Sequence, residues 1–313
     1  MRLLSSAIFT ALLLASTPSG AAVHWVQAAR TGRAASPERR WQFTSRFTGE
    51  VYDVRIYTPS APPPPNGFPV IYVLDGGALF GSFREAAHTR ANAGELDQAV
   101  IVGIEGADGA KGADRFYDYS AADFSTEEKT FVVDANVNAR HGGAEQFFQT
   151  IEREIKPKLA TLVKVDPART TLFGWSLGGQ FVLHTLFRHP GAYRTFEALS
   201  PSIWWHDSAI LQDVPGFFET LSHNDLKPRL FIGAGGREQD TPINAGDRDF
   251  GLLKREMQHA RMVDNARDLT RDLAARDADH RLTLSSQIFD GQTHNSVPWA
   301  ALNTVLDFAI GRK

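Results

Sequence analysis

The sequence predicts an α/β fold in which a mostly parallel central sheet carries helices on both faces and an antiparallel hairpin at its N-terminal edge. Three observations predict it. Short, nearly continuous apolar runs recur along the chain, as in parallel strands that are buried on both faces. Amphipathic helical patterns lie between these runs. Near the N-terminus, two neighbouring segments instead alternate apolar and polar residues, which is typical of antiparallel strands.

The strands are predicted in chain order from these runs. Residues 41–49 and 51–59 form the expected hairpin. Residues 61–67 contain four consecutive prolines and predict a loop, because proline cannot donate a hydrogen bond to a sheet. The buried parallel strands are expected at residues 68–74, 99–104, 170–174, 196–199, 229–233 and 282–289.

Helical patterns occupy the intervals between the later strands. They cover residues 144–162, 177–189, 249–277 and 297–310. Pro157 is expected to kink or shorten the first of them, and Trp299 is among the apolar positions expected to repeat along the last. Residues 105–143 form the least regular stretch, which predicts either a functional loop or lid, or a solvated insertion.

Composition narrows the possible functions. Of the 313 residues, 42% are hydrophobic and 22% are charged, as in globular proteins, and the net charge is −3 at pH 7. This charge gives no reason to expect nucleic acid or an anionic membrane as a partner. The absence of cysteine excludes disulfides, thiolate nucleophiles and cysteine-ligated metals. No metal-binding or phosphate-binding motif occurs, so no metal and no cofactor is implied.

The first 22 residues have the pattern of a secretory signal. Arg2 supplies a weak positive start, residues 3–15 are largely apolar, and small residues follow up to Ala22. The apolar run is shorter than the ~20 residues of a membrane-spanning helix. We therefore expect an exported protein, periplasmic or secreted, with residues 23–313 as one catalytic domain. An uncleaved N-terminal helix or anchor is the alternative.

The motif with the clearest chemical meaning is GWSLGG at residues 174–179, which contains G-x-S-x-G. A strand candidate precedes it and a helix candidate follows. In that setting a serine is held on a sharp turn with its hydroxyl exposed, so Ser176 is the predicted nucleophile. Glycines are needed at Gly174 and Gly178 because side chains would clash in so sharp a turn. The alternative is a serine packed in an ordinary turn between a strand and a helix.

A serine hydroxyl needs a base, and the chain order serine, acid, histidine is typical of this turn. His294 follows the last strand candidate, so its loop falls at the same sheet edge as Ser176 and it is the predicted base. The acid is expected after the penultimate strand, where Glu238 and Asp240 are both available. We favour Glu238, which would fix the imidazole tautomer. Asp240, or no strong acid at all, stays open.

The oxyanion of the transition state needs backbone donors. One is expected from the N–H of Leu177, which follows the nucleophile at the start of a helix. The other is expected in the turn after the strand at residues 68–74, where Asp75-Gly76-Gly77 lets the backbone approach a substrate closely. Gly76 is the predicted donor and Gly77 the second choice. A plain strand-end turn is the alternative.

The chain resembles the esterase D-like branch of the α/β-hydrolases, and within it the siderophore esterases that cleave the trilactone of enterobactin-type and salmochelin-type catecholates. The matching segments are YVLDGG at 72–77, GGAEQFFQTIEREIKP at 142–157, VDPARTTLFGWSLGGQFVL at 165–183, SPSIWW at 200–205, RMVDNARDL at 261–269 and QTH at 292–294. The resemblance implies the α/β-hydrolase fold, Ser176 as nucleophile, His294 as base and a small-molecule ester as substrate. It also implies that the acid can be weak or absent.

The chain departs from the family pattern at residues 104–120. Family members have a segment with an arginine followed by an aspartate there, and Arg115 and Asp118 can take those two places. Trp175 and Trp204 are predicted to line an aromatic substrate pocket. Arg115 is predicted to contact substrate, because a ferric tricatecholate is strongly anionic. Further candidate cations are Lys111 and Arg237. Core packing, for the tryptophans, and solvated surface charge, for the cations, are the alternatives.

The sequence therefore predicts a serine esterase that acts through an acyl-enzyme, with a siderophore trilactone as a candidate substrate. Acyl transfer to an acceptor other than water, or peptide hydrolysis, is the alternative on the same scaffold. An exported ligand-binding protein without turnover is the alternative from a different class. No obligate protein partner is inferred.

Overall fold

Eight strands form one sheet in the part of the chain that the structure, a computed structural model, describes: residues 38–107, 113–122, 128–130, 140–240 and 250–312. The strands are Glu38–Thr44 (β1), Val51–Tyr57 (β2), Phe68–Leu74 (β3), Val100–Gly106 (β4), Val165–Trp175 (β5), Thr195–Leu199 (β6), Arg229–Gly235 (β7) and Thr283–Phe289 (β8). Their spatial order is β1-β2-β4-β3-β5-β6-β7-β8. The predicted signal segment, residues 1–22, lies outside the described residues.

The strand directions confirm the predicted sheet. β1 pairs antiparallel with β2, and β2 pairs antiparallel with β4. From β4 through β3 to β8, every neighbouring pair is parallel. β3 lies inside the sheet between β4 and β5, and all seven of its residues are buried. This position explains why its sequence is continuously apolar.

Helices cover both faces of the sheet, as predicted. They are Gly76–Asn92 (α1), Ala113–Tyr119 (α2), Ala144–Thr150 (α3), Lys156–Ala160 (α4), Leu177–Arg188 (α5), Trp205–Ser208 (α6), Val214–His223 (α7), Phe250–Ala260 (α8), Met262–Arg276 (α9) and Val297–Ile310 (α10). α1 and α10 share one apolar core with Ile71 and Val73 of β3. α5 and α9 share the other with Val70 and Tyr72, so alternate β3 residues face opposite cores.

One helix prediction was wrong in detail, and another helix is irregular close to the proline where a kink was expected. The helix expected over residues 249–277 is interrupted at Arg261, whose φ of 40° lies in the left-handed region and separates α8 from α9. The helix expected over residues 144–162 contains a π-helical turn at Ile151–Ile155, between α3 and α4. Pro157 explains this irregularity, because a proline ring clashes with the carbonyl of the residue four positions earlier in a regular α-helix.

Two further differences from the predictions concern α1 and α10. α1 starts directly at Gly76, whereas the sequence predicted the oxyanion turn Asp75-Gly76-Gly77 and no helix after it. Trp299 of α10 is 50% exposed, because the buried stripe of that helix runs through Val297, Ala301 and Val305. None of the described helices combines the length and the apolar character needed to cross a membrane.

Candidate active site

The parallel strands bring three distant segments to one edge of the sheet. Ser176 follows β5, Glu238 lies in the turn after β7, and His294 lies in the loop between β8 and α10. Because the carboxyl ends of parallel strands meet at the same edge, these segments converge there. The structure therefore places the predicted nucleophile, acid and base together.

Ser176 occupies a sharp turn between β5 and α5. Its φ of 61° and ψ of −121° are unusual for a residue with a side chain. Backbone hydrogen bonds hold the turn, since the N–H of Ser176 donates to the carbonyl of Leu199 at 2.9 Å and its own carbonyl accepts from the N–H of Ser202 at 3.1 Å. A methyl group at Gly174 would overlap the carbonyl of Gly178, which explains the glycine at that position.

A continuous hydrogen-bond chain joins the three side chains. His294 Nε2 lies 3.0 Å from Ser176 Oγ, and His294 Nδ1 lies 2.8 Å from Glu238 Oε2. The Glu238 carboxylate is buried, whereas the imidazole is 33% exposed. One ring nitrogen thus faces the hydroxyl and the other faces the acid, which is the geometry that general-base activation of a serine requires.

Two donors that the sequence reasoning missed hold the other oxygen of Glu238. The hydroxyl of Ser200 and the backbone N–H of Gly235 each donate to Oε1 at 2.5 Å. Asp240, the alternative acid, instead pairs with Arg237 at 2.9 Å, with both side chains about half exposed. The structure therefore brings Glu238, and not Asp240, to His294.

The acid turn and the histidine loop are bound to each other. The N–H of Gly236 donates to the carbonyl of Phe289, and the N–H of Arg237 donates to the carbonyl of Gln292, both at 2.9 Å. A methyl group at Gly235 would lie 2.6 Å from the Gln292 oxygen, so only glycine permits this approach. These contacts fix the position of the loop that carries His294.

The expected oxyanion donors lie at the starts of two helices. Leu177 begins α5 and Gly76 begins α1. A methyl group at Gly76 would lie 2.6 Å from the backbone of Gly103 in β4, which explains its glycine. Burial raises the pKa of Glu105 above its ordinary value, and the N–H of Gly77 opposes this rise by stabilising the carboxylate. Gly77 is thus engaged with Glu105, and Gly76 stays the predicted donor.

Arg115 lies beside this turn. Its guanidinium forms two hydrogen bonds with the Asp75 carboxylate, from Nε at 2.7 Å and from Nη2 at 3.2 Å, and Nη2 also lies 3.3 Å from the carbonyl of Trp175. Asp118, the aspartate expected to accompany this arginine in the family pattern, is buried and accepts a hydrogen bond from the hydroxyl of Tyr52 at 2.8 Å. The guanidinium thus contacts the turn after β3 and the turn after β5, and its predicted contact with substrate stays a prediction.

Comparison with known proteins identifies the family. The Esterase family model matches residues 45–301 of the chain. The chain belongs to this family. The family description and the hydrogen bond between Ser176 and His294 agree, and the protein is an ester-hydrolysing serine hydrolase with the α/β-hydrolase fold.

Individual relatives of this esterase support the resemblance drawn from its sequence. The chain is 34% identical to the ferri-bacillibactin esterase BesA of Bacillus subtilis, over 85% of this chain and 87% of that one. It is 35% identical to the siderophore triacetylfusarinine C esterase of Aspergillus fumigatus, over 73% of this chain and 77% of that one. The structure of the siderophore hydrolase EstA from Aspergillus nidulans is similar, with a TM-score of 0.75 at 27% identity, covering 88% of this chain and 94% of that one.

The two tryptophans predicted to bind substrate have different surroundings in this esterase. The Trp175 ring lies 4.9 Å from the His294 imidazole, centroid to centroid, so it borders the site. Trp204 has ring contacts with Trp205 at 5.8 Å and His259 at 6.0 Å. Of the further candidate cations, Arg237 pairs with Asp240, and Lys111 lies outside the described residues.

One group among the described residues has the composition of a metal site. Glu128, Asp207 and His259 each place a potential ligand atom within 4.8 Å of the others. The Glu128 carboxylate already accepts the backbone N–H groups of His206 at 3.1 Å and Asp207 at 3.2 Å, and it lies 3.5 Å from His259 Nε2. These contacts connect α6 and α8 to the turn Glu128–Thr130.

Proposed function

We propose that this esterase hydrolyses an ester bond of a siderophore, with Ser176 as nucleophile, His294 as general base and Glu238 as the acid that orients it. The observation that carries the catalytic assignment is the hydrogen-bond chain from Ser176 through His294 to Glu238. A ligand-binding protein without turnover would have no use for a serine so joined to a base and an acid.

In the acylation step, Ser176 Oγ attacks the ester carbonyl while its proton passes to His294 Nε2. Glu238 accepts the hydrogen bond from Nδ1–H and stabilises the imidazolium that forms. The N–H groups of Leu177 and Gly76 hold the negative oxygen of the tetrahedral intermediate. The C–O bond to the leaving alcohol then breaks, and the alcohol takes the proton from His294, which leaves an acyl-enzyme.

In the deacylation step, water takes the place of the alcohol. His294 removes a proton from the water as it attacks the acyl carbonyl, and the same backbone donors hold the second oxyanion. Collapse of this intermediate returns the proton to Ser176 Oγ and releases the acid. Because Trp175 packs against the imidazole, its ring helps to form the wall of the site in both steps.

The substrate class is supported by the relatives. Two proteins that are about one third identical over most of their length bear the names of siderophore esterases. The bacterial and the fungal relative are both named as siderophore esterases, but their named substrates differ. This favours siderophore esters as the substrate class over any single siderophore. The predicted contacts of Trp204 and Arg237 with substrate remain part of the proposal.

Product analysis tests both parts of the proposal. The protein would be incubated with p-nitrophenyl acetate, with bacillibactin and with triacetylfusarinine C, the siderophores with and without iron, and the products identified by mass spectrometry. We expect cleavage of the model ester and of at least one siderophore, and no turnover or fluorophosphonate labelling in Ser176→Ala. Ser222→Ala is the matched control, since the Ser222 hydroxyl contacts only its own helix end.

The outcomes separate the two parts. Turnover that persists in Ser176→Ala would show that the nucleophile is misassigned. Cleavage of p-nitrophenyl acetate without cleavage of either siderophore would contradict the substrate class and leave the catalytic residues standing.

We also propose that the protein is exported, with residues 1–22 removed as a signal. The pattern of Arg2, the apolar run and the small residues before Val23 supports this. The full chain would be expressed in a bacterium, the cells fractionated and the intact mass of the product measured. A periplasmic or secreted product that lacks the first 22 residues is expected. A product that keeps Met1 and stays with the cells would contradict it.

A further inference from the structure

Arg115 joins the two segments that supply the expected oxyanion donors. One segment is the turn from β3 to α1, where its guanidinium binds the Asp75 carboxylate in a bidentate manner. The other is the turn from β5 to α5, where Nη2 donates to the carbonyl of Trp175, directly before Ser176. The side chain is 25% exposed, and that of Asp75 is 14% exposed. One cation is therefore shared between the residue before Gly76 and the residue before the nucleophile.

The Asp75 backbone needs such support. Its φ of 53° and ψ of 44° are left-handed, a conformation that costs energy for a residue other than glycine. The N–H of Asp75 donates to the Tyr119 hydroxyl at 3.1 Å. Burial raises the pKa of Tyr119 well above its ordinary value, so this hydroxyl stays neutral. Arg115 and Tyr119 lie one turn apart on α2, and both hold Asp75, one by its side chain and one by its backbone.

The ion pair of Arg115 and Asp75 also affects the electrostatics near the expected oxyanion donors. A methyl group at Gly178 would lie 3.3 Å from Asp75 Oδ2, so the carboxylate lies against the first turn of α5. An uncompensated negative charge there would oppose the formation of an oxyanion nearby, because charges interact strongly where water is scarce. The bidentate guanidinium compensates it.

We propose that Arg115 is a positioning residue of the oxyanion hole: it holds Asp75 and the Trp175 carbonyl together, and thereby sets the distance between the N–H groups of Gly76 and Leu177. This inference rests on the proposed catalytic assignment of the site. It differs from the sequence-based expectation that Arg115 binds an anionic substrate, because it starts from the hydrogen bonds of Nε and Nη2 to a carboxylate and a carbonyl of the protein.

The two roles predict different substrate dependence. Arg115→Gln would be assayed with neutral p-nitrophenyl acetate and with the anionic mono-p-nitrophenyl succinate. A positioning residue acts on the transition state of both esters, so we expect kcat to fall by a similar factor for each, about 10- to 100-fold, with KM changed by less than about 3-fold. A loss confined to the anionic ester, expressed mainly in KM, would overturn the proposal.

Arg188→Gln is the matched control. Arg188 forms an equally bidentate pair with Asp213, from Nε at 2.8 Å and Nη2 at 3.0 Å, at the opposite end of α5. This variant should keep the kcat of the native protein. Equal losses in Arg115→Gln and Arg188→Gln would show that breaking any such pair is harmful, which would also overturn the proposal.

A double-variant cycle tests whether Arg115 acts through Asp75. Asp75→Asn and Arg115→Gln should each lower kcat, and the double variant should be no worse than the poorer single one. Arg115→Lys should recover part of the loss, because lysine keeps the charge but not the bidentate geometry. Additive losses, or a Lys variant as poor as Gln with an unchanged melting temperature, would contradict the assignment.

The failure of this inference can be told apart from failure of the proposed function. The rate of labelling by a fluorophosphonate depends on the oxyanion hole but on no physiological ester, and it should fall in Arg115→Gln. Native labelling rates in that variant would overturn the positioning role even if siderophore cleavage were confirmed. Labelling that is slowed in Arg115→Gln would support the role even if neither siderophore proved to be a substrate.

Discussion

The hydroxyl of Ser200 lies 2.5 Å from Oε1 of Glu238, the residue whose other carboxylate oxygen lies 2.8 Å from His294. Ser200 is fully buried and directly follows β6, and its φ of 43° is left-handed. The strand between the nucleophile and the acid therefore also contributes to the site. With Ser200 included, four side chains form one hydrogen-bond chain that ends at Ser176.

Removing this hydroxyl should weaken catalysis without abolishing it. In Ser200→Ala, Glu238 loses one of its two donors at Oε1 and keeps the N–H of Gly235. We expect kcat to fall about 10-fold, since a hydrogen bond to a carboxylate contributes ~1.5–3 kcal/mol. Steady-state kinetics on p-nitrophenyl acetate, with Ser222→Ala as the exposed control, measure the effect. Native kcat in Ser200→Ala would show that Gly235 alone is sufficient.

The choice between the two candidate acids has its own test. Glu238→Gln keeps the size of the side chain but cannot stabilise an imidazolium, so kcat should fall by about 10²-fold or more. Asp240→Asn should have native kinetics, because Asp240 pairs with Arg237 outside the hydrogen-bond chain. The opposite ranking would move the acid to Asp240, and native kinetics in both variants would indicate a serine–histidine pair without an acid.

The sequence allowed the main chemistry of the site to be predicted because strand ends are visible as hydrophobic patterns. Ser176, Glu238 and His294 each follow a recognisable apolar run, and a parallel sheet necessarily gathers such positions at one edge. Ser200 satisfies the same criterion, since it directly follows the run at residues 196–199. A search for polar residues immediately after every predicted strand would have found it.

Other features depend on tertiary contacts that have no local pattern. Arg115 was judged by its charge, but its role depends on Asp75, which is 40 positions away in the chain. The break at Arg261 falls within a sequence that has helical character on both sides, and only a left-handed residue separates α8 from α9. α1 was missed because its first two residues are glycines, which indicate a turn when they are considered locally.

Two glycines of α1 give opposite predictions for the same change. Gly76→Ala would force a methyl group to within 2.6 Å of the β4 backbone, so it should lower both the melting temperature and kcat. Gly81→Ala meets no atom within 4 Å, and it should stabilise the protein by ~0.4–1 kcal/mol by restricting the unfolded chain. Thermal unfolding and kinetics of both variants provide the comparison. Native kcat in Gly76→Ala would show that the methyl group is accommodated without displacing the start of α1.

Glu197 is a buried acid that the mechanism does not use, and it should make stability depend on pH. It lies in the middle of β6, fully buried, and neither carboxylate oxygen has a hydrogen-bond partner among the described residues. Burial raises its pKa well above the ordinary value, with Arg229 opposing the effect. The folded protein therefore holds a proton that the unfolded chain releases once the pH exceeds the ordinary pKa of a glutamate.

The sign of the effect follows from this difference in bound protons. As the pH rises above about 4.5, the unfolded chain loses the proton while the folded protein keeps it, so the free energy of unfolding decreases. Glu197→Gln imitates the protonated side chain and removes the dependence of stability on pH.

At pH 4 the variant and the native protein should be about equally stable, and at pH 8 the variant should be more stable by ~1 kcal/mol or more. Urea unfolding at both pH values measures this, with the exposed Glu219→Gln as control. A variant that is less stable than the native protein at pH 8 would mean that Glu197 is held as a carboxylate by Arg229.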